Sequence, residues 1–391
     1  MTLRPKSSER MRVGINLLTD DPDNPSGAHW FWTRVIPEMA ALLTEGEELH
    51  LLVSRRSRAM HQGYGPGVGY LPFPWSNERR NLRTLSEHVY APVRLPLAGI
   101  DVFSTLIAPI AKPAPALVAH FKTMHAFTAP EAIGRAARLY RRIGYPRTAK
   151  VADAIIINSE SLRAEVERHL DVDPTKLRLI REAVDHELFR PGDPSAARRR
   201  LAEHRGIEGP FVLFVSSLWP YKNCDGLLRA FALAKPDLDG HRLVVVGPGR
   251  DTEYVAQLRA LAQELGIADD VVWVGGVALE ETVDFYRAAD VFVYPSHNET
   301  FGLTILEAMA CGCPVVTSDC SAMPETAGGA AYLAPPEDPA SIASAIVRAI
   351  HDGELLRPMG LARAAEFTWA QTAKETLEVY REVHANRKAR R

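Results

Sequence analysis

The sequence predicts an α/β protein of two doubly wound domains, each with a parallel sheet, and three observations carry that expectation. Its 391 residues exceed what one domain of about 100–200 residues needs. Short apolar runs recur with helix-period stretches between them, as in a parallel sheet covered on both faces. Near the midpoint this alternation breaks at Phe189-Arg190-Pro191-Gly192-Asp193-Pro194, a density of Pro, Gly and Asp typical of a linker, and then restarts.

The first element is 11–18 (MRVGINLL), an apolar run too short for a buried helix and closed by a loop of Asp, Asn, Pro, Ser and Gly. A helix-period stretch follows over 28–43, which makes a strand–loop–helix unit. Further strands are expected at 48–53, 102–107, 117–124 and 154–158, with helical stretches between several of them. Beyond the break, strand-like runs stand at 211–216, 242–247, 271–275, 291–295, 314–318 and 330–333, each followed by a candidate helix. The domains are therefore expected at 1–189 and 190–370. A C-terminal helix, 371–391, is expected to pack back toward the first domain and to end in a basic tail. Ligands of such sheets sit outside the carboxyl ends of the strands, so a cleft between the domains is the expected site.

Composition narrows the function classes. With 46% hydrophobic and 24% charged residues the chain should fold, and a net charge of −2 excludes the global basic signature of a nucleic-acid binder. No run of 18 apolar residues is present and 1–12 is charged where a signal peptide needs an apolar core, so the protein is expected to be cytoplasmic. Cys224, Cys311, Cys313 and Cys320 lack the C-x-x-C spacing of most structural zinc sites and read as reduced core thiols. Charge is uneven: residues 50–150 hold 15 basic side chains against Glu78, Glu87, Asp101 and Glu131. That excess suits an anionic acceptor or peripheral contact with the inner face of the plasma membrane, and equally a set of solvated helix faces. The oligomeric state is not legible.

The most informative stretch is 298–316, NETFGLTILEAMACGCPVV, which follows the strand VFVYPS. A strand ends, a loop carrying Glu299 turns through Gly302, and a helix opens near Leu303. Such a helix presents unpaired backbone N–H groups and a partial positive charge, which suit a phosphate. Gly302 lets the backbone approach the ligand, and Glu307, in the second turn of the helix, is placed to accept bonds from a diol such as ribose.

These residues resemble a family. Glu299 and Glu307 form the E-x7-E pair, within the run E-x-F-G-[LI]-x-x-L-E-A-M-A-x-G-x-P-V-V, of the retaining nucleotide-sugar glycosyltransferases of family 4. The resemblance implies a GT-B fold and places Phe301, Gly302, Leu303, Thr304 and Glu307 around the donor. FVLFVSSLWPYKN, 211–223, resembles the family's first strand of the C-terminal domain and its diphosphate-binding Lys, here Lys222; Ser216, Ser217 or Leu218 stands where many members carry an Arg. LVVVGPG, 243–249, lacks the third glycine of a dinucleotide fingerprint, and in the family it is the strand whose glycine, Gly247, lines the cleft. VVWVGGVAL, 271–279, resembles the segment that receives the base, near Gly276 and Val277; a plain strand and turn stays equally open.

In the first domain NPSGAH, 24–29, resembles the loop against which donor and acceptor pack, with Ser26 and Gly27 the candidates and a single glycine where the family has two. Among Trp30, Phe31 and Trp32 at least one should be core, and one is open as an acceptor platform. The family places a His after a strand near the donor sugar. His120 and His125 compete, and Thr123-Met124-His125 matches Thr-x-His better, with His120 kept as an acceptor-side candidate. Asn158 and Ser159 end the strand in AKVADAIIINSES.

The resemblance thus implies a retaining hexosyltransferase using a nucleoside diphosphate sugar, of mannosyl or glucosyl type, and a saccharide, lipid-linked or small-molecule hydroxyl acceptor. His125, Lys222 and Glu299 are the expected catalytic set. No cofactor and no metal are expected, because Asp21/Asp23, Asp171/Asp173 and Asp237/Asp239 read as turn or capping residues. A GT-B sugar-nucleotide epimerase and a non-catalytic nucleotide-sugar-binding protein are the alternatives.

Overall fold

The computed structural model describes residues 10–23, 27–109, 114–129, 133–249 and 251–390. They form two compact units, Met1–Glu182 with Trp369–Arg391, and Ala183–Thr368.

The first unit holds a seven-stranded parallel sheet of β1 (Met11–Asn16), β2 (Glu47–Ser54), β3 (Val68–Phe73), β4 (Val102–Thr105), β5 (Ala116–His120), β6 (Ala154–Ile157) and β7 (Leu177–Leu179), in the order β3-β2-β1-β4-β5-β6-β7. Both faces are covered, and the two-residue period sorts the side chains. Val13, Ile15, Leu49, Leu51, Val118 and Ile156 join one core with Phe31, Trp32, Val35, Ile36 and Met39 of the Gly27–Ala41 helix. Leu52, Phe103, Leu117, Ala119, Ile155 and Ile157 join the other, with Leu95, Tyr145, Leu162 and Val166 from helices on that side. β3 and β7 escape the sequence pattern for physical reasons. Both are edge strands, β3 carrying Gly69 and Pro72 and β7 only three residues long.

The Trp369–Ala389 helix belongs to this first unit although it follows the second in sequence. Ala373, Leu377, Tyr380 and Val383 recur at helical spacing and fill the same core as β1 and the Gly27–Ala41 helix. The units divide at Glu182/Ala183, ahead of the Pro/Gly-rich break near Arg190. That break lies inside the second unit because the Phe189 ring packs on Tyr286 and Arg287 Nε donates to the Arg190 carbonyl at 2.9 Å.

The second unit holds β8 (Phe211–Val215), β9 (Arg242–Val246), β10 (Val271–Gly275), β11 (Val291–Tyr294), β12 (Val315–Ser318) and β13 (Tyr332–Ala334), all parallel, in the order β10-β9-β8-β11-β12-β13. The chain steps outward from β8 to β10, then returns to the other side of β8 as β11. Cys224, Cys311 and Cys313 are buried and all four cysteines are free, with burial pushing the Cys311 thiol up to about 12.

Candidate active site

The reversal between β8 and β11 opens a crevice at their carboxyl ends, the usual ligand position of a doubly wound sheet. Lys222 follows β8 and Glu299 follows β11, so two residues 77 apart in sequence meet at that point. The turn Pro220–Lys222 that carries the lysine is fixed by Asn223. This residue adopts a left-handed backbone (φ 60°), caps the Cys224–Ala234 helix by accepting from Gly226 N, and donates to the carbonyls of Pro295 and Pro336 at 2.9 and 2.6 Å. One asparagine therefore ties the β8 loop to the β11 loop.

Lys222 Nζ donates to Glu299 Oε1 and to the Tyr294 hydroxyl, the latter at 2.7 Å, and Tyr294 itself donates to Glu299 Oε1 at 2.5 Å. Burial alone would lower the Lys222 pKa, but the Glu299 carboxylate and the Tyr294 and Tyr221 phenols outweigh it and hold the ammonium charged. Burial and the same carboxylate push the Tyr294 phenol up. Glu299 is further clamped through its backbone, whose N–H donates to Ser321 Oγ at 3.0 Å while that hydroxyl donates back to its carbonyl at 2.5 Å. All its side-chain bonds fall on Oε1; Oε2 makes none among the described residues.

Gly302, at φ 88°, turns the chain into the Leu303–Ala310 helix, and no side chain caps that helix. The Thr304 hydroxyl, in its first turn, is buried without a hydrogen-bond partner among the described residues. Glu307 is 8% exposed and accepts from the Tyr286 hydroxyl at 3.1 Å; burial pushes its carboxyl up to about 7, against that bond. Glycine at 247 has its own cause: its φ is 142°, and a Cβ there would stand 1.8 Å from the Ser216 carbonyl oxygen. Gly276 is exposed and Val277 half-buried after β10. The ring of Phe301, expected in the donor shell, is buried against Phe367 at 5.8 Å and packs in the core.

The first unit brings fewer of its candidates to an open surface. Its own switch point lies between β1 and β4, where Asn16 donates to Glu87 Oε1 at 2.9 Å and to Thr105 Oγ1 at 3.0 Å, and Glu87 is buried with its carboxyl raised. His120 is corrected to a core residue. It is 1% exposed, its Nε2 is 2.9 Å from Ser104 Oγ, and its ring lies edge-on to Trp32. Burial, with Lys122 nearby, holds it neutral. His125 is half-buried at the start of a short helix after β5, its N–H bonded to Thr123 Oγ1 at 3.1 Å. Gly27 is the exposed first residue of its helix, and Ser26 lies outside the described residues. Phe31 and Trp32 are core while Trp30 is 46% exposed. Asn158 donates to Glu182 at 3.3 Å and Ser159 caps the Glu160–His169 helix, so both have structural work.

Three residues in this unit offer metal-type ligand atoms together, Asp20, His29 and His61. Asp20 Oδ2 stands 2.6 Å from His61 Nε2 and 3.1 Å from His29 Nδ1, which are hydrogen-bond separations; a tetrahedral ion would open them to about 3.3 Å. Burial would raise the Asp20 carboxyl, but these two bonds outweigh it and hold the pKa low. Asp173 caps the Pro174–Lys176 turn and Asp21 accepts from the Asp23 N–H, the roles expected of the Asp-x-Asp pairs.

The residues missed by sequence reasoning are Tyr294, Tyr286 and Ser321, which hold the two glutamates. Tyr294 ends the strand directly before the motif, a position whose side chain points back to the crevice; Tyr286 and Ser321 leave no such signal.

Two families match the chain. The one described as glycosyl transferases group 1 covers residues 198–364, and the one described as glycosyltransferase family 4 covers 27–188. The chain belongs to these glycosyltransferases. A D-inositol 3-phosphate glycosyltransferase of Acidothermus cellulolyticus is 37% identical over 259 residues, 63% of this chain and 57% of that protein. A protein of the same name from Kineococcus radiotolerans is 37% identical over 284 residues, 67% of this chain and 63% of that one. The chain thus spans less than two thirds of either relative. Among solved structures, sucrose-phosphate synthase of Thermosynechococcus elongatus has a TM-score of 0.74 at 21% identity, covering 96% of this chain and 100% of that one. Anabaena HepE, in complex with UDP and glucose, has a TM-score of 0.70 at 18% identity, covering 95% and 100%. With its two parallel sheets, this glycosyltransferase-family chain has the GT-B fold.

Proposed function

We propose that the protein transfers a hexosyl group from a nucleoside diphosphate sugar to a hydroxyl acceptor, with retention of configuration. The observation that carries this reading is the Lys222–Tyr294–Glu299 set at the β8/β11 switch point, beside the uncapped Leu303–Ala310 helix. A diphosphate there would meet the Lys222 ammonium, the first-turn amides near Gly302–Thr304 and the unpartnered Thr304 hydroxyl. These supply positive charge without a metal or cofactor. Glu307 would accept bonds from the ribose diol and Glu299 Oε2 would meet the sugar. The names of the relatives and the UDP and glucose of HepE support a nucleotide-sugar donor.

In the proposed chemistry the bond from the anomeric carbon to the diphosphate oxygen breaks and the acceptor oxygen bonds to the same carbon on the same face. The acceptor proton passes to the departing diphosphate oxygen. The bonds from Lys222 and Tyr294 to Oε1 draw charge off the Glu299 carboxylate and weaken it as a nucleophile, so the proposal has no covalent intermediate and leaves Oε2 to orient the sugar. Catalysis is then electrostatic, with Lys222 and the helix amides stabilising charge as it moves onto the diphosphate. His125 is assigned to a sugar hydroxyl and the first unit to the acceptor.

A thermal-shift series with GDP, UDP, dTDP and ADP in the presence of chelator tests the donor site, because a ligand of the folded state raises Tm with occupancy. One diphosphate should stabilise the protein and Glu307→Ala should abolish the shift; no shift with any of the four sinks the reading. Nucleoside diphosphate released only when an acceptor is added separates transfer from epimerisation and from simple binding.

A further inference from the structure

Two neighbouring helical segments of the first unit expose side chains that a folded surface normally covers. Arg80–Leu85, Ser86–Tyr90 and Ala91–Leu97 run on without a break, the middle piece with π-helical bonding. Leu85, Val89, Val93 and Leu97 recur along them every fourth residue and are 51%, 60%, 62% and 76% exposed, with Tyr90 beside them. Such spacing keeps them on one face, while Ala91 and Leu95 point the other way into the core. On the Arg135–Val151 helix, Leu139 and Ile143 are one turn apart and 62% and 65% exposed, while Tyr145 and Ala149 are buried. The two segments lie against each other where His88 Nε2 meets the Tyr140 hydroxyl at 2.9 Å. Seven of the thirteen large apolar side chains exposed among the described residues belong to this one face.

Its charge is as one-sided as its apolarity. Arg79, Arg80, Arg135, Arg142 and Lys150 are exposed on these segments. Of the two acids in 77–97, Glu78 is half-buried at the very start and accepts from the Ser76 hydroxyl, Glu87 is buried and bonded to Asn16, and 135–151 contains none. A water-facing helix would carry both signs, and a protein interface core is depleted in charge. Exposed apolar side chains on segments that also carry exposed basic ones, with few acids among the described residues to offset them, are the pattern of a helix lying in a membrane interface, the apolar groups among the acyl chains and the cations at the phosphates. No helix among the described residues is long and apolar enough to span a bilayer, so the contact is peripheral.

We propose that this face, formed by residues 80–97 and 135–151, docks on the surface of a bilayer rich in anionic lipid. The proposal does not depend on the donor chemistry of the second unit. Docking draws on two terms that can be separated: apolar insertion through Leu85, Val89, Val93, Leu97, Leu139 and Ile143, and attraction of the arginines to lipid phosphates. Each cation near a charged surface strengthens binding about fivefold, and salt screens that gain within a Debye length of about 10 Å at 0.1 M.

Flotation of the full chain with vesicles of phosphatidylcholine alone, and of phosphatidylcholine with phosphatidylglycerol, tests it. Binding should appear on the anionic vesicles, weaken on raising salt from 0.1 to about 0.5 M, and be slight on the neutral ones. Val93→Glu with Leu97→Glu should weaken it at least tenfold. Both sites are exposed, so Tm and the thermal shift with nucleoside diphosphate should stay unchanged. Arg80→Glu with Arg135→Glu should weaken binding to anionic vesicles alone. Absence of binding to anionic vesicles, or binding that the apolar pair leaves intact, overturns the proposal. If the wild-type chain is a dimer by light scattering, floats with no vesicle, and becomes monomeric through Val93→Glu and Leu97→Glu, a second copy covers the face and the proposal is likewise overturned.

Discussion

The two sheets of this protein have the same parallel design, yet their switch points hold different chemistry. Between β8 and β11 a lysine and a glutamate meet as charged partners, and one oxygen of the glutamate is left without a bond. Between β1 and β4 the polar groups close on each other, Asn16 joining Glu87 to Thr105 with Glu87 buried. On the proposed reading, the difference is between a site kept ready for a ligand and a polar knot that fixes structure. Topology marks two places where a ligand could go, and unspent bonding capacity is what selects one of them for the proposal.

The sharpest way to break that comparison is to remove one member of each set. Lys222→Ala should lower kcat at saturating donor by about 10²–10³-fold, the usual scale for one electrostatic stabiliser, and should lower Tm because Glu299 stays largely buried without its cation. Asn16→Ala removes the donor that joins buried Glu87 to Thr105, leaving Glu87 only Arg83 and Thr105 only the Ile107 carbonyl among the described residues, and should cost about 1–3 kcal/mol of stability, with kcat unchanged in the folded fraction. Steady-state kinetics beside urea unfolding of both variants decide it. If Asn16→Ala lowers kcat as much as Lys222→Ala does, the first switch point is also catalytic and the contrast fails.

The same contrast explains how much was legible beforehand. The second unit's candidates lie in short segments close behind strands, so Glu299, Gly302 and Glu307 stood out at a strand–loop–helix junction, and Lys222 was named through the resemblance of its loop to the family's. Of their tyrosine partners only Tyr294 had a positional signal, at the end of the strand before the motif; Tyr286 sits on the helix before that strand, and nothing in its spacing marks it as the partner of Glu307. In the first unit the apolar runs announced five strands, but β3 and β7 sit at edges where short length, Gly69 and Pro72 erase the pattern. His120 was a candidate because a histidine at a strand end resembles a ligand-binding one. Only the packing shows that Trp32 and the Trp369–Ala389 helix cover it, Tyr380 donating to the same Ser104. Nor does the sequence announce that Leu85, Val89 and Val93 face outward, because apolar residues at helical spacing ordinarily face a core.

A pH series sharpens the comparison through Glu307. Its carboxyl is raised from 4.5 to about 7 by burial, so the fold favours the protonated form. The stability this contributes is fully present below pH 4.5 and is lost as pH rises through 7, a difference of about 3 kcal/mol. Glu307→Gln keeps an acceptor for Tyr286 and should flatten the slope of Tm against pH between 5 and 8. Nucleoside diphosphate that donates its ribose hydroxyls to the carboxylate should bind more tightly as pH rises to 8, about tenfold per pH unit below 7. Titration calorimetry at pH 6 and 8 reads this directly, and an affinity independent of pH in that range removes Glu307 from the ribose.

The two histidines offer a smaller test within the first unit. His125→Ala should lower kcat by about tenfold, the loss of one sugar hydrogen bond of about 1.4 kcal/mol, while leaving Tm nearly unchanged. His120→Phe should behave in the opposite way, lowering Tm because the Ser104 hydroxyl loses its acceptor while keeping its bond from Tyr380, and sparing kcat. Reversed outcomes would move the assignment from His125 to His120.

The smallest expected effect separates two glycines that look alike in sequence, since each stands just before or at the start of a helix. Gly302 holds φ 88°, and a Cβ there would press on Ile305 Cδ1 at 3.1 Å, so Gly302→Ala should cost about 1–3 kcal/mol and tilt the first-turn amides. A Cβ at Gly27 would meet nothing within 4 Å among the described residues. Gly27→Ala should therefore raise stability by about 0.4–1 kcal/mol, through a less flexible unfolded chain, with kcat unchanged. A fall in kcat without loss of stability would mean that the acceptor needs bare backbone at position 27, and the first unit would then hold an open site of its own there.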